Sequence, residues 1–227
     1  MNENIRVIKF EDLPPGGFAG IVERQMVLNR ELWPQARNRE DISHGLGDFI
    51  YLSMGYFKPN DGAPLHPHKE VDIVSFVSSG KIGHKGSLGD GTTIQSPGVQ
   101  VQRAGTGMTH SEFSMSDEKA DFVQIWFRPP QNDLNPEYKN FAIEGNQLIT
   151  VHGGEGDTLK SSMTCKIGLL GSGEKIKTEG KFVAILFDGL AKMDDLEVSK
   201  GSLIEGENLE LLSLSKIGLI LIQENDH

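Results

Sequence analysis

The segment from residue 62 to residue 112 reads GAPLHPHKEVDIVSFVSSGKIGHKGSLGDGTTIQSPGVQVQRAGTGMTHSE. It consists of short apolar runs of strand length, separated by turns that are rich in glycine and proline. Residues 66–77 are apolar at both alternating sets of positions, as in a strand that is buried on both faces. The pattern predicts a β-meander whose two ends carry chemically reactive side chains.

Pairs of potential metal ligands mark both ends of this segment. In a β-strand, residues i and i+2 point to the same face, so each pair can aim its side chains into one cavity. If the two end strands are neighbours, one cavity receives four side chains: His66, His68, His110 and Glu112. Three imidazoles and one carboxylate suit a divalent transition metal. The alternative is a polar pocket without metal, in which three buried imidazoles would need many hydrogen-bond partners.

Asp72 adds a second carboxylate near the expected site. It has the same parity as His68, so a regular strand over residues 66–77 points it inward. It could be a fifth ligand, or it could accept a hydrogen bond from a ligand histidine, and we favour the second role. Glu70 shares this parity but lies near the start of the strand, where a bulge could turn it outward.

Several other side chains are assigned to packing rather than to chemistry. His84 lies on a hairpin strand near a turn, and we interpret it as structural. Cys165 lies in an apolar stretch and is most simply a small core residue. Trp33 and Trp126 are interpreted as packing residues of a loop and of the core. A neighbouring strand could help to line the mouth of the cavity with Phe49, Tyr51 and Met54.

The 227-residue chain continues the β pattern beyond this segment, with 27 glycines, 10 prolines and few helical patterns. This composition favours an all-β fold. Residues 181–189 resemble residues 71–80 in length, pattern and terminal glycine, which indicates a weak internal repeat without a second His-x-His pair. A linker rich in proline follows residue 128. We therefore predict a metal-binding domain of residues 1–132 and a second domain of residues 133–227 without metal ligands.

Two features of the first half have less defined roles. The alternation over residues 4–10 predicts a strand. Residues 29–47 are irregular and charged, which predicts a loop with a single helical turn, and such long loops are often functional.

His44 and His227 have no ligand-spaced neighbour and His152 lies in a glycine-rich loop, so none of these three is assigned to the site.

Charge and cysteine content exclude several classes of function. The formal net charge is −10, and no basic cluster is present, so direct binding of nucleic acid or of an anionic membrane is not expected. The single cysteine excludes disulfides within the chain and a cysteine-based zinc site. The N-terminus lacks a signal-peptide pattern, and the apolar run at residues 217–222 is too short to cross a bilayer. We therefore expect a cytoplasmic location.

Several motifs together resemble those of the pirin family, a branch of the cupin superfamily. They lie within residues 47–140 and include His66-Pro67-His68-Lys69, His84 with Ser87-Leu88-Gly89, Ala104-Gly105-Thr106-Gly107, His110-Ser111-Glu112, Gln124-Ile125-Trp126 and Asn135-Pro136-Glu137-Tyr138. The short second half resembles that of compact bacterial pirin-like proteins. The resemblance implies a bicupin, two tandem cupin-type β-barrels with metal in the first, and the same four ligands that the spacing indicates.

The resemblance also implies a chemistry. Family members most often bind iron, so Fe(2+) is the expected metal, although the ligand types also suit nickel, cobalt, manganese, copper or zinc. Some members cleave flavonols such as quercetin with O2, and others are partners of transcription factors. We therefore expect a quercetin 2,3-dioxygenase with Glu112 as the catalytic base. The alternatives are a regulatory module that binds a protein partner and a bicupin whose metal is structural. Asp72 stands where the family usually has Glu, and Gly86 where it usually has Asp, which affects the expected substrate more than the metal.

Overall fold

The computed structural model describes residues 5–225, which are almost entirely β-strand. The strands up to the predicted domain boundary are β1 Arg6–Lys9, β2 Gly16–Phe18, β3 Ile21–Leu28, β4 Phe49–Phe57, β5 Gly62–His68, β6 Asp72–Val77, β7 Lys81–Gly86, β8 Thr93–Gln95, β9 Gly98–Arg103, β10 Met108–Ser114 and β11 Ala120–Phe127. Those after it are β12 Glu137–Ala142, β13 Leu148–His152, β14 Met163–Leu170, β15 Lys175–Lys177, β16 Lys181–Asp188, β17 Leu190–Met193, β18 Leu196–Ser199, β19 Ser202–Glu207, β20 Glu210–Ser213 and β21 Ile217–Glu224. The described residues include two short 3-10 helices, Phe10–Asp12 and Pro34–Ala36.

The strands form two barrels, each made of one large sheet and one four-stranded sheet. In the first barrel the large sheet has the order β12-β9-β6-β11-β4-β3-β2 and the small sheet the order β5-β10-β7-β8. In the second barrel the orders are β1-β19-β16-β21-β14-β13 and β15-β20-β17-β18. The prediction of an all-β fold with two tandem cupin-type barrels is confirmed.

The large sheets of the two barrels pack against each other through one continuous apolar core. This core contains side chains of both halves, and the rings of Phe76 and Phe187 meet in it with their centroids 4.6 Å apart. Cys165 is fully buried in the same core, as expected from its apolar surroundings. Every residue of β6 is buried, because one face of the strand lies in this core and the other lies in the first barrel. The prediction of a strand buried on both faces is therefore confirmed for β6.

Each barrel receives one strand from beyond the predicted domain boundary. β1 pairs with β19 in the second barrel, with Arg6 opposite Glu205. β12 pairs with β9 in the first barrel, with Tyr138 opposite Gln102. The sheets therefore cross the predicted boundary at residue 132 in both directions. The division into one domain of residues 1–132 and a second domain of residues 133–227 stays a prediction.

The chain between residues 66 and 77 differs from the single strand that the sequence predicts. It forms β5 and β6, which belong to different sheets, and it turns between them at Glu70, whose φ is +53°. The sequence suggested at most a bulge at Glu70, because a positive φ is uncommon for a residue other than glycine. The parity argument for Asp72 fails because the turn interrupts the strand.

The predictions for the N-terminal region are close to the structure. β1 lies within the expected strand at residues 4–10, although Asn4 is outside the described residues, as is His227. Residues 29–47 form a loop with a single 3-10 turn at Pro34–Ala36, as predicted. Among residues 5–225, no helix has the length and the apolar character needed to cross a lipid bilayer.

Candidate metal centre

The small sheet of the first barrel places the two histidine-bearing stretches side by side. β5 pairs with β10, and His66 lies directly opposite His110. A register shift follows His110, and Glu112 then pairs with Ala63. His110 and Glu112 are each only 1% exposed, whereas His66 and His68 are half-buried. The prediction that these stretches are neighbouring strands is confirmed.

Three histidines converge at this place. His66, His68 and His110 each offer one ring nitrogen, and these nitrogens lie within 4.8 Å of one another. The Nε2 atoms of His66 and His110 are 3.0 Å apart. Two nitrogens that bind one metal at about 2.1 Å and at right angles would also be about 3 Å apart. The spacing therefore fits two adjacent ligands of a single ion.

The other ring nitrogens of two of these histidines face hydrogen-bond partners. Nδ1 of His66 lies 2.7 Å from the carbonyl oxygen of Pro64, to which it donates, and this leaves the Nε2 lone pair free for a metal. Nδ1 of His110 lies 3.2 Å from the side-chain amide of Gln102. The atom that faces Nδ1 is Gln102 Nε2, and Gln102 Oε1 is buried without a partner. Rotation of this amide by half a turn would place Oε1 opposite Nδ1, where it would accept the Nδ1 proton. Such contacts orient histidine ligands in metal sites.

Glu112 points into the interior of the barrel, where polar side chains surround it. Its Oε1 accepts hydrogen bonds from Gln100 Nε2 at 2.8 Å and from Ser75 Oγ at 3.4 Å. The Tyr138 hydroxyl in turn donates to Gln100 Oε1 at 2.9 Å. Burial raises the pKa of Glu112, although the neighbouring histidines and hydrogen bonds oppose this change. Since Tyr138 lies on β12, the chain beyond the predicted boundary helps to build the site.

His84 lies among the potential ligands, which its interpretation as a structural residue did not anticipate. It is 1% exposed. One of its ring nitrogens lies within 4.8 Å of the donor atoms of His110 and Glu112, and these two donors also lie within 4.8 Å of each other. The described residues therefore contain two overlapping groups of three potential ligands, and His110 belongs to both.

The charge state of the histidines suits metal binding. Burial, reinforced by the neighbouring rings of His110 and His66, lowers the pKa of His68 to about 3. Burial, reinforced by His66 and His84, lowers the pKa of His110 to about 3. At neutral pH these imidazoles are uncharged and offer lone pairs, as metal ligation requires. The donors present thus fit a divalent transition metal.

Asp72 is not part of this group, and the expectation that it ligates the metal or orients a ligand histidine is wrong. Its carboxylate accepts hydrogen bonds from Arg103 Nε at 2.8 Å, from Arg103 Nη2 at 2.6 Å and from His152 Nε2 at 2.9 Å. His152 lies on β13 of the second barrel, and Arg103 also donates to the Lys160 carbonyl at 2.8 Å. Asp72, Arg103 and His152, here called the junction triad, therefore connect the two barrels.

An open cleft of about 520 Å³ lies beside His68, and it is also lined by Pro67, Lys69, Ser87, Gly107, Met108 and Thr109. The Trp126 ring meets His68 edge-on, with centroids 5.4 Å apart, so Trp126 contacts the site as well as the core. The residues expected at the mouth do not line this cleft, because all three belong to the core between the barrels: Phe49, Tyr51 and Met54.

Sequence reasoning missed the glutamines of β9. The strand alternates Val99, Gln100, Val101 and Gln102, and the valines lie in the core between the barrels. Both glutamines are fully buried and face the candidate ligands. Their spacing is the same i, i+2 signal that drew attention to the histidines, so the alternation of valine with glutamine could have identified them.

Comparisons with known proteins point to one family. The pirin family model matches residues 39–127. Quercetin 2,3-dioxygenase of Escherichia coli strain K12 is 33% identical over 139 residues, which cover 51% of this chain and 60% of that protein. A pirin-like protein of Caulobacter vibrioides is 38% identical over 71 residues, which cover 31% of each chain. Residues 39–127 therefore resemble the pirin family, and the chain matches less than two thirds of the length of these two relatives.

Solved structures agree with the pirin fold. The crystal structure of the bacterial pirin YhhW from E. coli in complex with nickel(II) superimposes with a TM-score of 0.82 at 20% identity, covering 98% of this chain and all of that one. A quercetin 2,3-dioxygenase from Acinetobacter baumannii gives a TM-score of 0.71 at 17% identity, covering 98% of this chain and 86% of that one. At these identities the likeness shows the fold alone. The pirin segment, residues 39–127, contains every candidate ligand described above.

Proposed function

We propose that the chain binds one divalent transition metal in its first barrel and acts as a flavonol 2,3-dioxygenase of the quercetinase type. The observation that carries this proposal is an open ligand set: His110 and Glu112 are buried, His66 and His68 are half-buried, and His68 lines a cleft. A closed structural site would bury all its ligands, whereas a catalytic site keeps a position for substrate. The E. coli relative named quercetin 2,3-dioxygenase supports the choice of reaction.

The proposed ligands are His66, His68, His110 and Glu112. When bound, the metal supplies a Lewis acid that lowers the pKa of a coordinated hydroxyl group. Fe(2+) is the proposed ion, and the same donors suit nickel, cobalt, manganese, copper or zinc. The substrates are a flavonol such as quercetin and O2, and ring cleavage would release carbon monoxide. The cytoplasmic location stays a prediction.

Glu112 is the proposed catalytic base. Its carboxylate is the strongest proton acceptor among the ligands, and burial raises its pKa, which increases its basicity. Gln100 and Ser75 both bind Oε1, so they fix the carboxylate while it accepts the hydroxyl proton of the flavonol. The cleft beside His68 is lined by apolar and polar side chains, among them Met108 and Thr109, and offers room for a planar aromatic substrate.

The experiment combines metal analysis with oxygen uptake. Tag-free protein is loaded with ferrous iron under anaerobic conditions, its metal content is measured by elemental mass spectrometry, and oxygen uptake is then followed with quercetin. We expect about one metal per chain and uptake that depends on quercetin. His68→Ala should lose the metal, whereas His44→Gln, which changes a histidine outside both ligand groups, should retain it. A chain that binds no metal after loading, or His68→Ala with full metal content, would contradict the proposed site.

A second variant separates binding from catalysis. Glu112→Gln keeps the three histidines but removes the base, so it should retain metal and lose turnover by about 10²–10⁴-fold. Equal turnover rates for this variant and the parent chain would show that Glu112 is not the catalytic base.

One observation favours a second candidate function, a regulatory module that binds a protein partner. Phe18 is 55% exposed and its ring lies 6.1 Å from that of His66, and Leu65 next to His66 is 65% exposed. Large apolar side chains exposed near the metal mouth are typical of an interaction surface. Stoichiometric metal without oxygen uptake on any flavonol would favour this second function.

A further inference from the structure

His84 lies beside two of the proposed metal ligands, His110 and Glu112. It lies on β7, which pairs with the other edge of β10, and it is directly opposite Glu112. Gly86 on the same strand is opposite His110, and a Cβ there would meet the Thr109 carbonyl oxygen at 2.2 Å. The glycine therefore allows β7 to approach β10 closely and brings the His84 ring beside the ring of His110, at a centroid distance of 5.4 Å.

A single hydrogen bond fixes the tautomer of His84. Its Nε2 lies 2.8 Å from the carbonyl oxygen of Leu88, which can only accept, so Nε2 carries the proton and donates it. The neutral ring then has its lone pair on Nδ1. A histidine whose second nitrogen donates to a backbone carbonyl has the arrangement of most protein metal ligands.

The lone pair of His84 has no hydrogen-bond partner. Nδ1 is buried without a donor, and the ring is 1% exposed. It shares a group of potential ligands with His110 and the Glu112 carboxylate, all within 4.8 Å. Buried acceptors of this kind are rarely left unpaired, and lone pairs that face a carboxylate repel it unless a cation lies between them.

We propose that His84 is a further nitrogen donor to the metal, so that four imidazoles and one carboxylate from three adjacent strands hold the ion. This inference rests on the proposed metal site. β5 contributes His66 and His68, and β10 contributes His110 and Glu112. β7 adds His84 from the inner, fully buried side, which leaves the half-buried side with His66 and His68 open towards the cleft.

The test counts the coordinated imidazoles directly. The full-length chain is loaded with cobalt(II), and proton NMR records the hyperfine-shifted N–H signals, which each coordinated imidazole contributes and which disappear in D2O. We expect four such signals from the parent chain and three from His84→Gln. The affinity for cobalt(II), measured against a competing chelator, should fall at least about 10-fold in this variant, since loss of groups that merely orient ligands already costs about that much.

Controls separate the possible failures. His44→Gln should retain four signals and the parent affinity. Three signals from both the parent chain and His84→Gln would overturn the inference and leave the proposed metal site intact, whereas failure of the parent chain to bind cobalt(II) would overturn the metal site itself. If His84→Gln does not fold, as judged by circular dichroism, the number of signals from the parent chain decides the matter alone.

Discussion

The interiors of the two barrels differ in what fills them, although their architecture is the same. In the second barrel the two sheets enclose an apolar cluster that includes Phe182, Leu211, Leu219 and Leu221. The interior of the first barrel instead contains four histidines, a glutamate, two glutamines and a serine: His66, His68, His84, His110, Glu112, Gln100, Gln102 and Ser75. Its apolar side chains form two smaller clusters.

This difference indicates a division of labour. Apolar burial is the main source of folding stability, whereas buried polar groups cost free energy unless they are paired. The second barrel and the core between the barrels therefore contribute most of the folding stability. The first barrel contributes less, because polar ligand side chains occupy part of its interior. The junction triad is the exception, since it places a buried ion pair between the two regions.

The largest expected effect follows from breaking that connection. Asp72→Ala leaves the Arg103 guanidinium buried and without its main partner, and removal of one partner of a buried pair typically costs about 3–5 kcal/mol. We expect a loss of this size in the free energy of unfolding, measured with urea at pH 7. Lys177→Ala is the matched control, because it breaks an exposed ion pair with Glu210, and such pairs contribute less than about 1 kcal/mol.

The same variant has a predicted pH dependence. Burial alone would raise the pKa of Asp72, but hydrogen bonds from Arg103 and His152 outweigh it and hold this pKa below its usual range. The ionised carboxylate therefore stabilises the folded chain fully above the pKa of unfolded aspartate, about 3.9, and this contribution is lost as the pH falls towards the lower folded pKa. The stability difference between the parent chain and Asp72→Ala should shrink below about pH 4. A difference that grows on acidification would contradict this account of Asp72.

A substitution in the second barrel should affect stability alone. Leu219 is fully buried in its apolar interior, so Leu219→Ala should lower the free energy of unfolding by about 2–5 kcal/mol. Metal affinity should not change, because the ligands belong to the other barrel. Urea unfolding and a chelator competition titration on the same preparation check both halves of this prediction, and a parallel loss of metal affinity would refute the division of labour.

A substitution in the first barrel should have a smaller effect, and this effect should be limited to metal affinity. Gln102→Leu removes the side-chain amide that contacts His110 Nδ1 at 3.2 Å, and loss of such a contact typically lowers metal affinity about 10–100-fold. The stability of the metal-free chain should change little, since leucine replaces a buried amide whose second polar atom has no partner. An unchanged affinity in the competition titration would exclude an orienting role for Gln102.

Features that depend on the local spacing of residues could be predicted from the sequence. The i, i+2 pairs at His66 and His110 placed their side chains on common faces, and the structure brings β5 and β10 together as expected. Local residue spacing could not predict that the candidate ligands form two overlapping groups, because this arrangement depends on how β7 approaches β10. For the same reason His84 was assigned to its hairpin rather than to the site.

The errors arose where the chain turns or pairs over long distances. Glu70 adopts a positive φ that its residue type rarely takes, so the sequence suggested one strand where there are two. Asp72 consequently points to His152 across the junction and not to the histidines of the metal site. The pairing of β12 with β9 likewise leaves no periodic signal within either strand, since it is fixed by the packing of the whole sheet.

The position of β1 has a consequence for the order in which the protein is made. Arg6 contacts Glu205, 199 positions later, so β1 leaves the ribosome long before its partner strand does. The strand pairings of the first barrel use no residue beyond β12, so its two sheets can pair during translation, whereas the core that they share with the second barrel forms only later. Nascent chains that stop before β19 would display β1 as an unpaired edge, and such edges promote aggregation.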